Sequence, residues 1–230
     1  MKKCVFIITS IIISLSFFSG CGIFNKTSES KSRIELETIH PVLGLSETEA
    51  SILYNQIVDS AMDNPHKADY QALRMAHAGT SDYQPYSDNE TLSKIKKLLD
   101  NEKYVVASEV VKTVYHSLFH VPMYHFYAYV AWRENGDDKM ASIHSVYFKK
   151  LIDSILESGD GKSAETAYIV INVTEEYRTL EYLDLEMEKQ SLVKENGRHY
   201  DVMEVRDTLG NKKSVYFNID IPFRELQNSQ

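Results

Sequence analysis

The first part of the chain carries apolar residues at helical spacing. Ser46 stands three residues before Glu49, the spacing of a capping box, so a helix is predicted to begin there. A later helix is predicted from Glu102 to Leu118 because apolar residues recur at every fourth position, at Val106, Val110, Val114 and Leu118. A last long helix is predicted over residues 139–157. We therefore expect residues 47–158 to form a helical part.

After Ser158 the pattern becomes that of β-strands. The apolar, β-branched run Ala167–Val173 predicts a strand covered on both faces, and Asn196-Gly197 predicts a tight hairpin. Apolar and polar residues alternate over Val215–Ile221, which predicts a half-buried strand closed by Pro222. The expected fold class is α+β: one domain over 47–225, whose sheet part (159–225) is small and mostly antiparallel, with a tail at 226–230.

The helical part contains a weak internal repeat. The segment Lys103–Ser108 recurs in outline as Asp137–Ser142, so that Ala107 and Ala141 stand at equivalent positions. This spacing resembles that of tetratricopeptide repeats, in which small residues let paired helices approach closely. Less than two repeats are present, so a tetratricopeptide-like block and an ordinary bundle of helical hairpins are both compatible with the pattern.

The N-terminus has the features of an export signal. Lys2 and Lys3 precede the apolar run Cys4–Phe18, which is too short to span a membrane as a helix. The run ends in Phe18-Ser19-Gly20-Cys21, which resembles the lipobox of bacterial lipoproteins, with Phe18 in place of the usual aliphatic residue. The resemblance implies a signal peptide over residues 1–20 and a lipid on Cys21. The alternative is an ordinary secretory signal followed by a free cysteine.

The lipobox resemblance also implies a location. Residues 21–46 are polar and rich in serine after the first positions, so they are expected to form a flexible tether between the lipid and the domain. Gly22 replaces the aspartate that often retains lipoproteins in the inner membrane, which favours the outer membrane. No acidic run follows Cys21, which favours its periplasmic face over the cell surface.

Charge and cysteine content exclude several classes of function. The 230 residues include 25 lysines and arginines against 33 aspartates and glutamates, and the net charge of −8 argues against nucleic-acid binding. The chain has two cysteines, Cys4 and Cys21. If the first leaves with the signal and the second carries lipid, disulfides, thiol catalysis and cysteine-bound zinc are excluded.

The run Ser158–Tyr168, SGDGKSAETAY, followed by Glu175-Glu176-Tyr177, resembles the signature of an uncharacterised bacterial family. The family carries a domain of unknown function and occurs on lipoproteins and other exported proteins of Bacteroidetes-type bacteria. Four further segments match the same pattern: Tyr83-Gln84-Pro85-Tyr86, Gln190-Ser191-Leu192, Tyr200-Asp201-Val202 and Tyr216-Phe217-Asn218. The resemblance covers residues 68–221 and transfers no catalytic residue.

The loop at the junction of the two parts is a candidate ligand or partner site. It comprises Ser158, Gly159, Asp160, Gly161, Lys162 and Ser163, with Glu176 as a further charged group. A phosphate-binding P-loop is excluded, because Leu156 replaces its first glycine and the predicted order is helix, loop, strand. Backbone N–H groups near Gly161 together with Lys162 suit a carboxylate, sugar acid or phosphate. The alternative is a structural turn.

Aromatic and histidine residues give the remaining candidates. Tyrosine is frequent, and Tyr124, Tyr127 and Trp132 are candidates for an aromatic binding face in addition to core roles. His116 and His120 are expected to be solvated, and His144 is expected in the core or an interface. No ligand set at metal-binding spacing is present, and no cofactor is predicted.

Together these observations give three hypotheses. The leading one is a membrane-anchored, non-enzymatic envelope protein that binds a protein or a glycan. The second is an enzyme acting on cell-wall or glycan material, in which Asp160, Lys162 and Glu176 converge in a cleft. The third is a purely structural envelope lipoprotein.

Overall fold

The computed structural model describes residues 39–228. The predicted signal peptide, Cys21 and most of the predicted tether lie outside the described residues. After a short 3-10 helix at Pro41–Gly44, the helical part consists of α1 (Glu47–Asp63), α2 (Tyr70–His77), α3 (Glu90–Asp100), α4 (Tyr104–Thr113), α5 (Pro122–Glu134) and α6 (Asp138–Leu156). No helix in this described range is long and apolar enough to cross a membrane.

The sheet part confirms the α+β class. It contains β1 (Tyr168–Ile169), α7 (Val173–Tyr182), β2 (Glu186–Glu195), β3 (Arg198–Arg206), β4 (Lys212–Asn218) and α8 (Asp220–Asn228). The strand order is β1-β4-β3-β2. β2, β3 and β4 are antiparallel neighbours, whereas β1 pairs with β4 in parallel. The sheet is therefore mostly antiparallel, as predicted.

The capping box at Ser46 is confirmed, since its side chain accepts from the Glu49 N–H and the Glu49 carboxylate accepts in return. The predicted helix over 102–118 is shorter than expected. The helix ends at Thr113. Val106 is 51% exposed, because the fully buried positions of α4 are Ala107, Ser108 and Val111. The four-residue spacing predicted three core contacts correctly, since Leu118 belongs to a buried cluster and Val110 and Val114 pack against it, but it was wrong for Val106.

The internal repeat corresponds to two helical hairpins with equivalent turns. In the α3–α4 turn, Lys103 N–H donates to the Leu98 carbonyl; in the α5–α6 turn, Asp137 N–H donates to the Trp132 carbonyl. A residue of positive φ precedes each donor, Glu102 (φ 58°) and Gly136 (φ 81°). Ala107 and Ala141, the repeated alanines, are both buried. Two hairpins are formed, and helices α1, α2 and the sheet complete the core around them.

The sheet is covered on both faces. Its inner face packs on α6 and α7 through a core that includes Ile152, Ile155, Leu180, Met203, Val205, Val215 and Phe217. Its outer face carries Tyr200, Val202 and Tyr216, which pack against Ala164 and Ala167 of the loop after α6. The Ser158–Ser163 loop therefore belongs to the structure that covers the sheet.

Two strand predictions are wrong in extent. Ala167–Val173 forms only two residues of strand, because Asn172 caps α7 immediately afterwards by accepting from the Glu175 N–H. Val215–Ile221 leaves the sheet after Asn218, and Ile221 is buried within α8 instead. Pro222 lies in the first turn of α8, where a missing N–H costs little.

Candidate functional site

The Ser158–Ser163 loop satisfies its own polar groups. The N–H groups of Asp160 and Gly161 both donate to the Thr166 carbonyl, at 2.9 and 2.8 Å. The Asp160 carboxylate accepts from Lys162 Nζ at 2.8 Å and from the Thr166 hydroxyl at 2.6 Å. The Lys162 hydrogen bond, followed by that of Thr166, lowers the pKa of Asp160 to about 2. The backbone N–H groups that were expected to hold an anion are thus engaged within the loop.

Packing explains the two glycines of this loop. A Cβ on Gly161, whose φ is +67°, would lie 2.5 Å from the Tyr168 ring, and a Cβ on Gly159 would lie 2.3 Å from the Thr166 carbonyl oxygen. Ser158 accepts from the Ile169 N–H and so joins the loop to β1. The order helix, loop, strand is confirmed, which removes the P-loop interpretation. The geometry is that of a structural turn.

Glu176 does not join Asp160 and Lys162. It is fully buried on α7, whereas the Lys162 side chain is 81% exposed. Burial, and then the charge of Asp201 on β3, raises the pKa of Glu176 well above its usual range. A side-chain hydrogen bond to Asp201 acts in the same direction, because the neutral carboxyl of Glu176 donates to the Asp201 carboxylate. Among the described residues the Glu176 oxygens have no other hydrogen-bond partner. The convergence of three charged groups that the enzyme hypothesis requires is not formed.

The predicted aromatic face lies mostly in the core. Tyr124 is fully buried and its hydroxyl donates to the Val111 carbonyl, while Trp132 is 6% exposed with Lys112 over its ring. Tyr127 is half-buried and packs in the same cluster between α4, α5 and α6. Close packing of two hairpins requires large side chains between them, so these residues are unavailable as a shared binding face.

A cleft of about 720 Å³ lies elsewhere, where four segments of the chain meet. These are α1, the segment from His77 into α3, the turn after α4, and the start of α7. Its base is an aromatic cluster in which the rings of His77 and His120 are stacked, with their centroids 3.4 Å apart. Tyr54 and Tyr83 pack against His77 from two sides. This is the candidate functional site, because a concave surface combining rings with polar groups is the usual form of a ligand site.

Hydrogen bonds fix the aromatic base. The Tyr54 hydroxyl donates to the His116 carbonyl at 2.7 Å, so its oxygen accepts from Nδ1 of His120, 3.3 Å away, and we assign the His120 proton to Nδ1. Burial lowers the pKa of His77 to about 4, and burial also lowers the pKa of His120 well below its usual range. Both rings are therefore uncharged at neutral pH. The expectation that His120 is solvated is wrong, whereas His116 is exposed.

The α7 side of the cleft rests on a buried ion pair. Arg74 of α2 donates through Nε and Nη2 to the two carboxylate oxygens of Glu175, at 2.8 and 2.7 Å, and both side chains are excluded from solvent. Glu175 also accepts from the Ile171 N–H at 2.9 Å. This pair places the start of α7, and with it Asn172, Thr174 and Arg178, at the cleft. Glu175 lies in the first turn of α7, where it is buried against Arg74.

A second histidine pair lies in the core. His125 Nε2 faces the Phe119 carbonyl at 2.8 Å and donates to it, so its Nδ1 accepts from His144 Nδ1 at 2.9 Å. His144 is fully buried, as expected. Its Nε2 has no partner among the described residues. No group of three His, Cys, Asp or Glu side chains that could hold a metal ion is present in residues 39–228.

Sequence reasoning missed the cleft because its residues come from distant segments. His77, Tyr54 and Arg74 carry no motif of their own. One signal was available: Tyr83-Gln84-Pro85-Tyr86, part of the family pattern, begins with three residues that line the cleft.

Comparison with known proteins gives one result. No curated protein and no solved structure has significant similarity to the chain. A family model described as a domain of unknown function, DUF4919, matches residues 51–228, which include every segment that forms the cleft. The chain therefore belongs to the DUF4919 family.

Proposed function

We propose that this protein is a lipid-anchored, non-enzymatic binding protein of the cell envelope, and that its ligand occupies the cleft above the His77–His120 pair. The single observation that carries the proposal is the cleft itself, in which an uncharged aromatic base is surrounded by polar side chains from four segments. The lipobox resemblance at Cys21 supports the anchor and a location at the outer membrane.

The rigidity of the base supports a binding role. The base is held by contacts among the rings of Tyr54, His77, Tyr83 and His120. The two tyrosine hydroxyls also donate to backbone carbonyls, that of Tyr83 to Ile171 and that of Tyr54 to His116. A site whose side chains are already fixed loses little conformational entropy when a ligand binds. The partly exposed groups around it, such as Asn55, Asn172 and Thr174, supply hydrogen-bonding capacity.

In-cell photo-crosslinking tests the binding role. A photoreactive amino acid is placed at Asn55, which lines the cleft, or at Gln56, which is exposed on the same helix but does not line it. In cells that produce the full-length protein, we expect a discrete crosslinked product at position 55 and none at position 56. Equal products at both positions, or none at position 55, would contradict the proposal and favour a purely structural lipoprotein.

Fractionation tests the anchor separately. Cys21→Ser removes the thiol that lipidation requires, so the variant should leave the membrane fraction and lose incorporation of labelled palmitate, whereas the parent protein retains both. A variant that remains in the membrane without label would show that the protein is held there by another contact.

A further inference from the structure

The charges around the cleft restrict the ligand that it accepts. The carboxylates of Asp82, Asp88 and Glu90 are exposed along its rim, and among the described residues none of them has a basic partner within ion-pair distance. Arg74 lies below the cleft, and its charge is already paired with that of Glu175. Within the described part of the chain, no unpaired cation lies deep in the cleft, so an anionic ligand would meet like charges at the rim without a compensating one, which is unfavourable for binding.

The arginine at the edge of the cleft does not change this balance. Arg178 donates through Nη1 to Glu181 at 2.5 Å, so its charge is already paired on the same helix. Its Nε is buried and has no partner among the described residues.

The uncharged lining both donates and accepts hydrogen bonds. Asn55 and Asn172 contribute amide groups, and Thr80, Thr91 and Thr174 contribute hydroxyls. Part of this capacity is used within the protein, since Asn55 Nδ2 donates to the Ser51 carbonyl, Asn172 Oδ1 accepts from the Glu175 N–H and the Thr80 hydroxyl donates to the His77 carbonyl. The Asn55 amide oxygen, the Asn172 amide nitrogen and the Thr80 oxygen lone pairs remain for a ligand. Amides and hydroxyls act as donors and acceptors, whereas the rim carboxylates only accept. A ligand that matches this set must itself carry several groups able to donate and accept, as the hydroxyls of a sugar do.

Apolar surface alternates with these polar groups. The ring of His77 is partly exposed, and Leu92, Val121 and Pro122 also line the cleft. A pyranose ring has the same amphipathic character, since its C–H faces are apolar and its edge carries hydroxyls. Flat rings and short apolar side chains contact such faces without hydrogen bonds.

We infer that the ligand of the cleft is an uncharged carbohydrate; this rests on the proposed function, which places the ligand there. A protonated amine would be attracted to the rim carboxylates, but these are exposed, so solvent weakens that attraction as it weakens the repulsion of an anion. What favours the uncharged ligand is the lining inside the rim, where amides, hydroxyls and apolar side chains match the hydroxyls and C–H faces of a sugar, and the rim oxygens accept from sugar hydroxyls as well.

Titration calorimetry on the full-length lipidated protein in detergent micelles tests the ligand class. The uncharged probes are the tetramer of N-acetylglucosamine and maltotetraose. The glucosamine tetramer carries protonated amines on a closely related backbone, and the galacturonate tetramer is anionic. We expect an uncharged tetramer to bind, with the glucosamine tetramer no tighter in physiological salt and the galacturonate tetramer unbound. Failure of both uncharged probes, or preference for either charged one, would overturn the inference.

Matched variants locate the binding. Asn55→Ala and Asp82→Ala should each weaken the uncharged tetramer by about fivefold, the effect of one hydrogen bond. Gln56→Ala and Asp59→Ala, which alter exposed residues of α1 outside the cleft, should leave the affinity unchanged. Equal affinity in all four would place the sugar elsewhere and overturn the inference. Crosslinked product at position 55 without sugar binding would overturn the ligand class alone; absence of that product would overturn the proposed function as well.

Discussion

Arg74 and Glu175, separated by 101 positions in the chain, form a two-bond ion pair with exposed side-chain fractions of 0% and 1%. Arg74 also donates to the Ile169 carbonyl at 2.8 Å. One guanidinium thus joins α2 to both β1 and the start of α7, which connects the helical part to the sheet part directly below the cleft.

Breaking this pair should be costly. Arg74→Met leaves the Glu175 carboxylate buried without a cation, so we expect the free energy of unfolding to fall by about 3–5 kcal/mol in urea titrations. Adding Glu175→Gln should recover part of that loss, because it removes the buried charge and keeps an oxygen for the Ile171 N–H. Lys96→Met breaks an exposed pair with Asp100 and should change stability by less than about 0.5 kcal/mol. An additive double variant would contradict direct coupling.

The buried histidines should make the fold sensitive to acid. Burial lowers the pKa of His77 and His144 to about 4, below the usual 6.5, and lowers those of His120 and His125 as well. Below pH 6.5 the unfolded chain then binds more protons than the folded chain. The free energy of unfolding is therefore at its full value above pH 6.5 and decreases as the pH falls towards 4.

His144→Asn isolates one of these groups. Between pH 6.5 and 4 the variant should show a pH slope of stability that is smaller by up to about 1.4 kcal/mol per pH unit, the effect of one proton. His66→Asn, at an exposed position, is the control and should keep the parent slope. Urea titrations at several pH values measure both, and an unchanged slope in His144→Asn would show that this ring is not buried in its neutral form.

The two helical hairpins differ at the left-handed position of their turns, which allows a reciprocal test. Glu102 adopts a left-handed conformation at the position that Gly136 occupies in the other hairpin. Glu102→Gly should raise the free energy of unfolding by about 0.5–1 kcal/mol, because glycine has no Cβ penalty there. Gly136→Ala should lower it by a similar amount, since open space around that position leaves backbone strain as the cause. Thermal unfolding measures both, and changes of the same sign would refute the equivalence of the turns.

Two variants of the Ser158–Ser163 loop distinguish a structural role of this loop from a functional one. Gly161→Ala should destabilise the fold by about 2 kcal/mol or more, because the new Cβ meets the Tyr168 ring. Lys162→Ala removes an exposed ion pair with Asp160 and should change stability by less than about 0.5 kcal/mol, with the crosslink at position 55 retained. Loss of that crosslink in a folded Lys162→Ala protein would restore the loop as a functional site.

Local patterns predicted those features that depend on neighbouring residues. The capping box at Ser46, the α+β division near Ser158, the Asn196-Gly197 hairpin and the repeated turn around Ala107 and Ala141 all arise from short-range hydrogen bonds, periodicity or backbone preferences. The same reasoning failed for Val106, since spacing shows that one helix face is apolar but not which neighbour covers it.

By itself the sequence determined the fold class, the turns, the acidic character of the chain and the family signature, because each of these depends on residues close together along the chain. Only the tertiary structure decided that Glu175 faces Arg74 while Glu176 faces Asp201, that Tyr124 and Trp132 fill the core, and that His77 and His120 form the base of a cleft. The reason is physical: these outcomes depend on which distant segments pack together, and packing is set by shape and burial across the whole domain.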